Sequence, residues 1–465
     1  MRVLAVLGLS VLLAACGRAP EPLAPARQSG ELVVVTRNGP TTYYEDAEGN
    51  PRGLEHDLAQ MFADELGLRV RWVVVPFPQV LDTLTAHKAH VAAAGLTITE
   101  ERRRRFLFGP AYQTVREQLV YNTDNPRPRN LSDVVGKRLQ VVAGSSYVET
   151  LRRAQQKVPG LTWQEIHDHD SEELLERLAN GEIDYVVVDS HIVRLAQRYY
   201  PKLAVAFDVG KPEELAWAFP RDADAWLYRK AVEFFTRIKR DGTLNRLLDR
   251  YYGHIERLEP ADVIGFLEKM NRVLPRYRPL FQRAQELTGL DWRLLAALAY
   301  QESQWDPLAT SPTNVRGMMM LTENTADHMG VTDRLDPWQS IRAGAQYLLQ
   351  IRDALPERIP EPDRTWMALA AYNVGVGHLE DARVLAQRLK LNPDAWADLK
   401  KTLPLLARST YFTTVKHGYA RGGEAVILTE NIRTYYDILL KFQPAYKPPL
   451  SPFAGDPGKA RLSRR

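Results

Sequence analysis

Cysteine is almost missing from this chain: Cys16 is the single one in 465 residues. One thiol cannot make an internal disulfide framework, so every folded domain must be held by its own apolar core. A dominant charge is missing too. Lys and Arg number 61 against 57 Asp and Glu, a formal net charge of +4. The two signs are interspersed, which excludes the footprint of a nucleic-acid binder or a polybasic membrane patch, and no nucleic-acid partner is expected. Histidines are few, 10 in all, and His254 and His417 stand apart from other ligand-type residues. Neither a metal site nor a cofactor is expected from that pattern. The apolar run from Val3 to Ala15 is too short to span a bilayer comfortably. It follows Arg2 and ends in small residues, the pattern of a secretory leader. Composition is otherwise that of folded domains, and the length suggests two or three of them.

At the end of that run, Leu13-Ala14-Ala15-Cys16 resembles a bacterial lipobox. The resemblance implies that residues 1–15 are removed and that Cys16 is lipidated as the mature N-terminus. Gly17 follows where an acidic residue does not, which implies the periplasmic face of the outer membrane. From Arg18 to Gly30 the chain is rich in Pro and Ala and has no periodicity, so residues 16–31 form a tether.

Strand and helix patterns then alternate. Leu32 to Thr36 is a short β-branched run, and Leu54, Leu58, Met61, Phe62 and Leu66 recur at helical spacing before Gly67. Val70 to Val75 and Val91 to Ala94 read as strands around a helix that starts at Val80. After the Pro-rich stretch Asn125 to Arg129 the alternation resumes, with strands at Arg138 to Val142 and Tyr185 to Val188 and a helix near Leu174. Two successive α/β units predict two lobes over residues 32–255.

Four segments in order carry a resemblance: Gly53-Leu54-Glu55-His56-Asp57-Leu58, Gly95 to Arg102, Phe108-Gly109-Pro110-Ala111-Tyr112, and Asp241-Gly242-Thr243-Leu244. They resemble the solute-binding proteins that capture amino acids for transporters. This implies a periplasmic-binding-protein-like fold whose chain crosses between lobes near Leu119 to Asn122 and near Val188 to Ser190. It also implies an amino acid or peptide ligand, with Arg102 on its carboxylate, Asp189 on its amino group, and Thr97 and Ser146 beside them. Guanidinium and carboxylate are a sensible pair for a zwitterion.

Past a connector at residues 256–276 the strands stop, and residues 277–445 read as a mostly α domain, followed by a tail at 446–465. Within it Asp291 is an expected N-cap and Pro307 forbids continuation of the helix Trp292 to Ser303. Leu294, Leu298 and Glu302 fall four residues apart, which places the carboxyl on the core-facing stripe. Apolar surroundings disfavour its charged form, as a general acid near neutrality requires.

Glu302-Ser303, then Gly317-Met318-Met319, then Ala371-Tyr372-Asn373-Val374-Gly375 resemble the soluble lytic transglycosylase and goose-type lysozyme group. The resemblance implies a lysozyme-like domain, Glu302 as catalytic acid and base, and peptidoglycan glycan strands as substrate. It also implies substrate contacts from Ser303, Gly317, Met318, Met319, Tyr372, Asn373 and Tyr435. Met320 stands where that group usually has Gln, and Leu428-Thr429 where it has Tyr-Val. No second carboxylate is implied; Asp306 reads as a turn former before Pro307. The expected chemistry is a non-hydrolytic cleavage giving 1,6-anhydromuramic ends. Two alternatives stay open at this point: a binding receptor with an inactive glycan-gripping domain, and a hydrolytic lysozyme.

Overall fold

The computed structural model describes residues 23–46, 49–254, 258–312 and 314–448. Cys16 and the apolar leader lie outside them. Among the described residues no helix is long and apolar enough to cross a membrane.

The N-terminal half is two α/β lobes, as the alternation predicts. In the first lobe the strand order is Arg69–Val74, Glu31–Thr36, Val91–Ala92, Ala218–Pro220, Phe106–Phe108. Strand Glu31–Thr36 is buried on both faces apart from its first residue, which is why it reads as a continuous apolar run. The helix Leu54–Leu66 buries Leu54, Leu58 and Phe62 against it and ends at Gly67 in the left-handed conformation. In the second lobe the order is Gln164–Ile166, Leu139–Val142, Tyr185–Asp189, Glu117–Asn122, Leu203–Asp208.

The crossings between lobes lie elsewhere than expected. Gln113–Val115 pairs with Glu213–Leu215 as a separate two-stranded ladder between the sheets. The chain leaves lobe one there and returns there. Glu117–Asn122 is instead a full strand of lobe two, paired on both sides. Asp189 ends another strand and leads into the helix Ser190–Gln197 of the same lobe. A hinge strand and a core strand share one apolar pattern; only the pairing partner distinguishes them.

The C-terminal half packs helices around Trp292–Ser303, which is buried on every side from Trp292 to Tyr300. The expected single stripe is therefore a complete apolar sheath, and Glu302 emerges only at its end. Asp291 caps it, accepting from Arg293 N at 2.8 Å. The helices Leu274–Thr288, Pro337–Ala354 and Gly422–Phe442 pack on this axis, and Asp363–Val374 packs on the last two.

One face of Gly422–Phe442 docks the two halves together. Asp437 accepts from His254 at 2.6 Å and is paired with Arg198 at the end of lobe two's helix. Arg433 donates to Arg250 O at 2.8 Å, while Arg250 reaches Asp363 at 2.7 Å. Lys400 joins Asp249 at 2.5 Å to Glu430 at 3.1 Å. Both lobes thus contact the helical half through partly buried, charge-assisted bonds.

Candidate active site

Glu302 sits one residue before the end of the buried helix, so the backbone behind it is immobilised by packing. The chain then turns through two left-handed, non-glycine residues, Gln304 at φ 52° and Trp305 at φ 62°. Such conformations are costly and persist only where the surroundings enforce them. Here Trp305 is 1% exposed, and its indole N–H donates to Ala296 O at 2.8 Å, pinning the turn to the helix. The Glu302 carboxyl is consequently presented at a fixed place.

Burial alone raises its pKa, from 4.5 to about 8, with no neighbouring acid contributing. At neutral pH it holds its proton. Asp306 is exposed and accepts from Leu308 N at 2.9 Å, the turn-forming role expected of it.

The other predicted residues converge on the same end of the helix through backbone contacts. Ser303 Oγ donates to Ala299 O at 3.0 Å or Met318 O at 2.9 Å, locking the Gly317–Met319 turn onto the helix. Gly317 has φ +84°, and a Cβ there would lie 1.8 Å from Arg334 O, so only glycine fits. Met318 and Met319 are wholly buried. Their side chains fill the core, and it is their carbonyls that face the site. Met319 O accepts from the Tyr372 hydroxyl at 2.9 Å. That phenol is pushed up first by burial and then by Glu302, which places it beside the carboxyl. Asn373, next along, is exposed.

Tyr435 is not brought to this surface. It is 6% exposed and stacked on Phe266 at 4.6 Å, with Tyr300 at 4.8 Å. The helix Pro260–Arg272, in the segment expected to be a mere connector, supplies Phe266 and covers it. Sequence reasoning also missed Tyr347, whose ring lies 5.4 Å from Tyr372. Its helical pattern marked only the core.

In the N-terminal half, Thr97, Ser146 and Asp189 line one cavity between the lobes, with Arg37, Asp170 and His191. Ser146 opens the helix Ser146–Gln155 and donates to Thr97 Oγ1 across the lobes at 3.2 Å. Arg102 is 4% exposed and donates to Thr97 O and Gly144 O, each at 2.9 Å. It is a clasp between lobes with further N–H groups to spare. Arg37, unremarked in the sequence, spans the same gap to Glu172 at 3.1 Å.

Comparison with known proteins gives the same division. Residues 32–254 match the bacterial extracellular solute-binding proteins, family 3, and residues 279–393 match the transglycosylase SLT domain. The chain is 53% identical to a membrane-bound lytic murein transglycosylase F of Methylobacillus flagellatus, covering 96% of both. It is 54% identical to one of Nitrosospira multiformis, over 96% of this chain and 93% of that one. Among solved structures it resembles a mutant of ArgBP from T. maritima at 26% identity and TM-score 0.45, over 49% of this chain and 97% of that one.

Proposed function

Since the chain belongs to the membrane-bound lytic murein transglycosylase F family, we propose that Glu302 alone serves as acid and then base in a cleavage that consumes no water. The protein is a peptidoglycan lytic transglycosylase with an amino-acid-binding type of domain at its N-terminal side. Glu302 gives its proton to the glycosidic oxygen of the MurNAc-GlcNAc β-1,4 bond. The N-acetyl group of the substrate supports the developing positive charge. Glu302 then takes the proton of the sugar's 6-hydroxyl as that oxygen closes on the anomeric carbon, which leaves a 1,6-anhydromuramic end.

The observation that carries this reading is a carboxyl fixed at the end of a buried helix, pushed up by burial to about 8, with no other charged group contributing. Hydrolytic retaining and inverting glycosidases pair their acid with a second carboxylate, as nucleophile or as base for water. Ser303 holds the turn at Gly317 against the end of the Glu302 helix, and Tyr372, with Asn373 next to it, meets the substrate beside the carboxyl. Mass spectrometry of muropeptides released from purified sacculi tests the chemistry. Products should be lighter by one water than lysozyme products, and hydrated reducing ends would establish hydrolysis instead.

Membrane attachment runs through Cys16, lipidated and held at the periplasmic face of the outer membrane. The Leu13-Ala14-Ala15 sequence before it supports this. An acyl chain contributes ~0.8 kcal/mol per buried CH₂, and single chains bind only marginally, so anchoring depends on the full lipid modification. Cys16→Ala should release the protein from sedimented membranes. The N-terminal cavity takes an amino acid or short peptide, with Arg102 toward its carboxylate, Asp189 toward its amino group, and the hydroxyls of Thr97 and Ser146 between them.

A further inference from the structure

The cavity between the lobes is lined by Arg37 and by the carboxyl groups of Asp170 and Asp189, with His191 beside them. Arg37, which lines it, is already engaged: it lies 3.1 Å from Glu172 and 3.8 Å from Asp170, and donates to Thr41 at 3.0 Å. His191 is pushed down to about 3 by burial and is neutral. Arg102 spends two of its N–H groups on backbone carbonyls.

Asp189 differs from these. It is 3% exposed, and among the described residues its Oδ1 has no hydrogen-bond partner. Directly across the ladder, Glu117 stands opposite Asp189 in register, so the two side chains leave the same face of the sheet. Glu117 is 1% exposed, and among the described residues neither of its oxygens has a partner. Buried carboxylates need a cation or a donor, and two side by side also repel each other. Burial and then Glu117 push Asp189 up to about 8, the mark of that repulsion.

Arg37, Asp170 and Asp189 line the cavity, and Glu117 stands beside Asp189 as its cross-strand neighbour. A zwitterionic ligand that brings one amino group to Asp189 leaves Glu117 without a cation. A ligand with an additional cation supplies one.

We propose that the pocket selects a net-cationic amino acid or short peptide, its amino group toward Asp189 and its additional ammonium or guanidinium group toward Glu117 beside it. The proposal rests on the reading of this cavity as an amino acid or peptide site and adds its selectivity. Glu117 becomes the residue that distinguishes a cationic ligand from a neutral one.

Calorimetric titration of the full-length chain in detergent micelles with L-lysine, L-arginine, L-glutamine and L-glutamate tests it. L-Lysine or L-arginine should bind at least tenfold more tightly than L-glutamine, and L-glutamate most weakly. Glu117→Gln, nearly isosteric, should reduce the preference for the cation to threefold or less. Equal or tighter binding of L-glutamine or L-glutamate by the wild-type chain would overturn the selectivity while leaving an amino-acid site in place. An undiminished preference in Glu117→Gln would overturn the role of Glu117. Binding of none of the four would overturn the selectivity together with the reading it rests on.

Discussion

Glu302 and Asp189 are both acids pushed up to about 8, yet they are built in opposite ways. Around Glu302 the cause is burial alone, and no ion pair or charged neighbour contributes. Around Asp189 burial acts together with the Glu117 carboxylate, against the pull of Tyr147, Arg37 and Arg102. A solitary protonated acid in an apolar wall is a proton donor in waiting. An acid crowded by other charges responds to whatever charge arrives. With the roles proposed for Glu302 and Asp189, the same elevation serves catalysis in one half and ligand recognition in the other, and only the neighbours tell them apart.

The largest way to break this comparison is Glu302→Gln, which keeps shape and removes the transferable proton. Release of muropeptides should fall by about 10²–10⁴-fold, the range for a lost general acid or base. Unchanged turnover would remove Glu302 from the chemistry.

The second test concerns the surface that joins the halves. Asp437 is held down at about 2 because Arg198 and His254 outweigh the effect of its burial. Asp437→Ala should cost about 3 kcal/mol in thermal unfolding, the low end for breaking a buried pair. Because its folded pKa is depressed, that contribution is present above the ordinary 3.8 and is lost as pH falls through about 2. Wild type and variant should therefore converge in acid.

At Glu302 the pH dependence has the opposite sign. The folded pKa of Glu302 is raised, so its contribution to stability is full below 4.5 and is lost as pH rises through about 8. Glu302→Gln lacks that loss and should melt above wild type. The gap should widen across this window, by at most about 1.4 kcal/mol for every step of one in pH. The smallest expected effect is at Asp306. Asp306→Asn preserves the turn bond to Leu308 and should leave turnover within about threefold; a larger drop would make Asp306 the second carboxylate.

The legible parts of the molecule were those with local causes. The helix Trp292–Ser303 begins at the Asp291 cap and stops before Pro307, and both signals stand in the sequence. Strand alternation showed two α/β lobes, and Glu302 stood out by its apolar spacing. What stayed hidden depends on partners distant in the chain. The hinge ladder at Gln113–Val115 and Glu213–Leu215 looks like any short strand until its pairing is known. Tyr435 was expected at the substrate, and the helix that buries it lies far earlier in the chain, at Pro260–Arg272. Arg37 follows a strand at the carboxyl edge of a parallel sheet, where α/β folds place ligands, and that signal was available. Glu117 was not available: beside Arg116 and Gln118 it has the appearance of a solvated residue.

The most direct test of the account is the protonation state of Glu302 itself. Infrared difference spectra of wild type against Glu302→Gln isolate its carboxyl stretch across a pH series. The protonated band should persist through neutrality and disappear near pH 8, together with the loss of turnover. A band that vanishes near 4.5 would show an ordinary solvated carboxylate and contradict the apolar enclosure on which the mechanism depends.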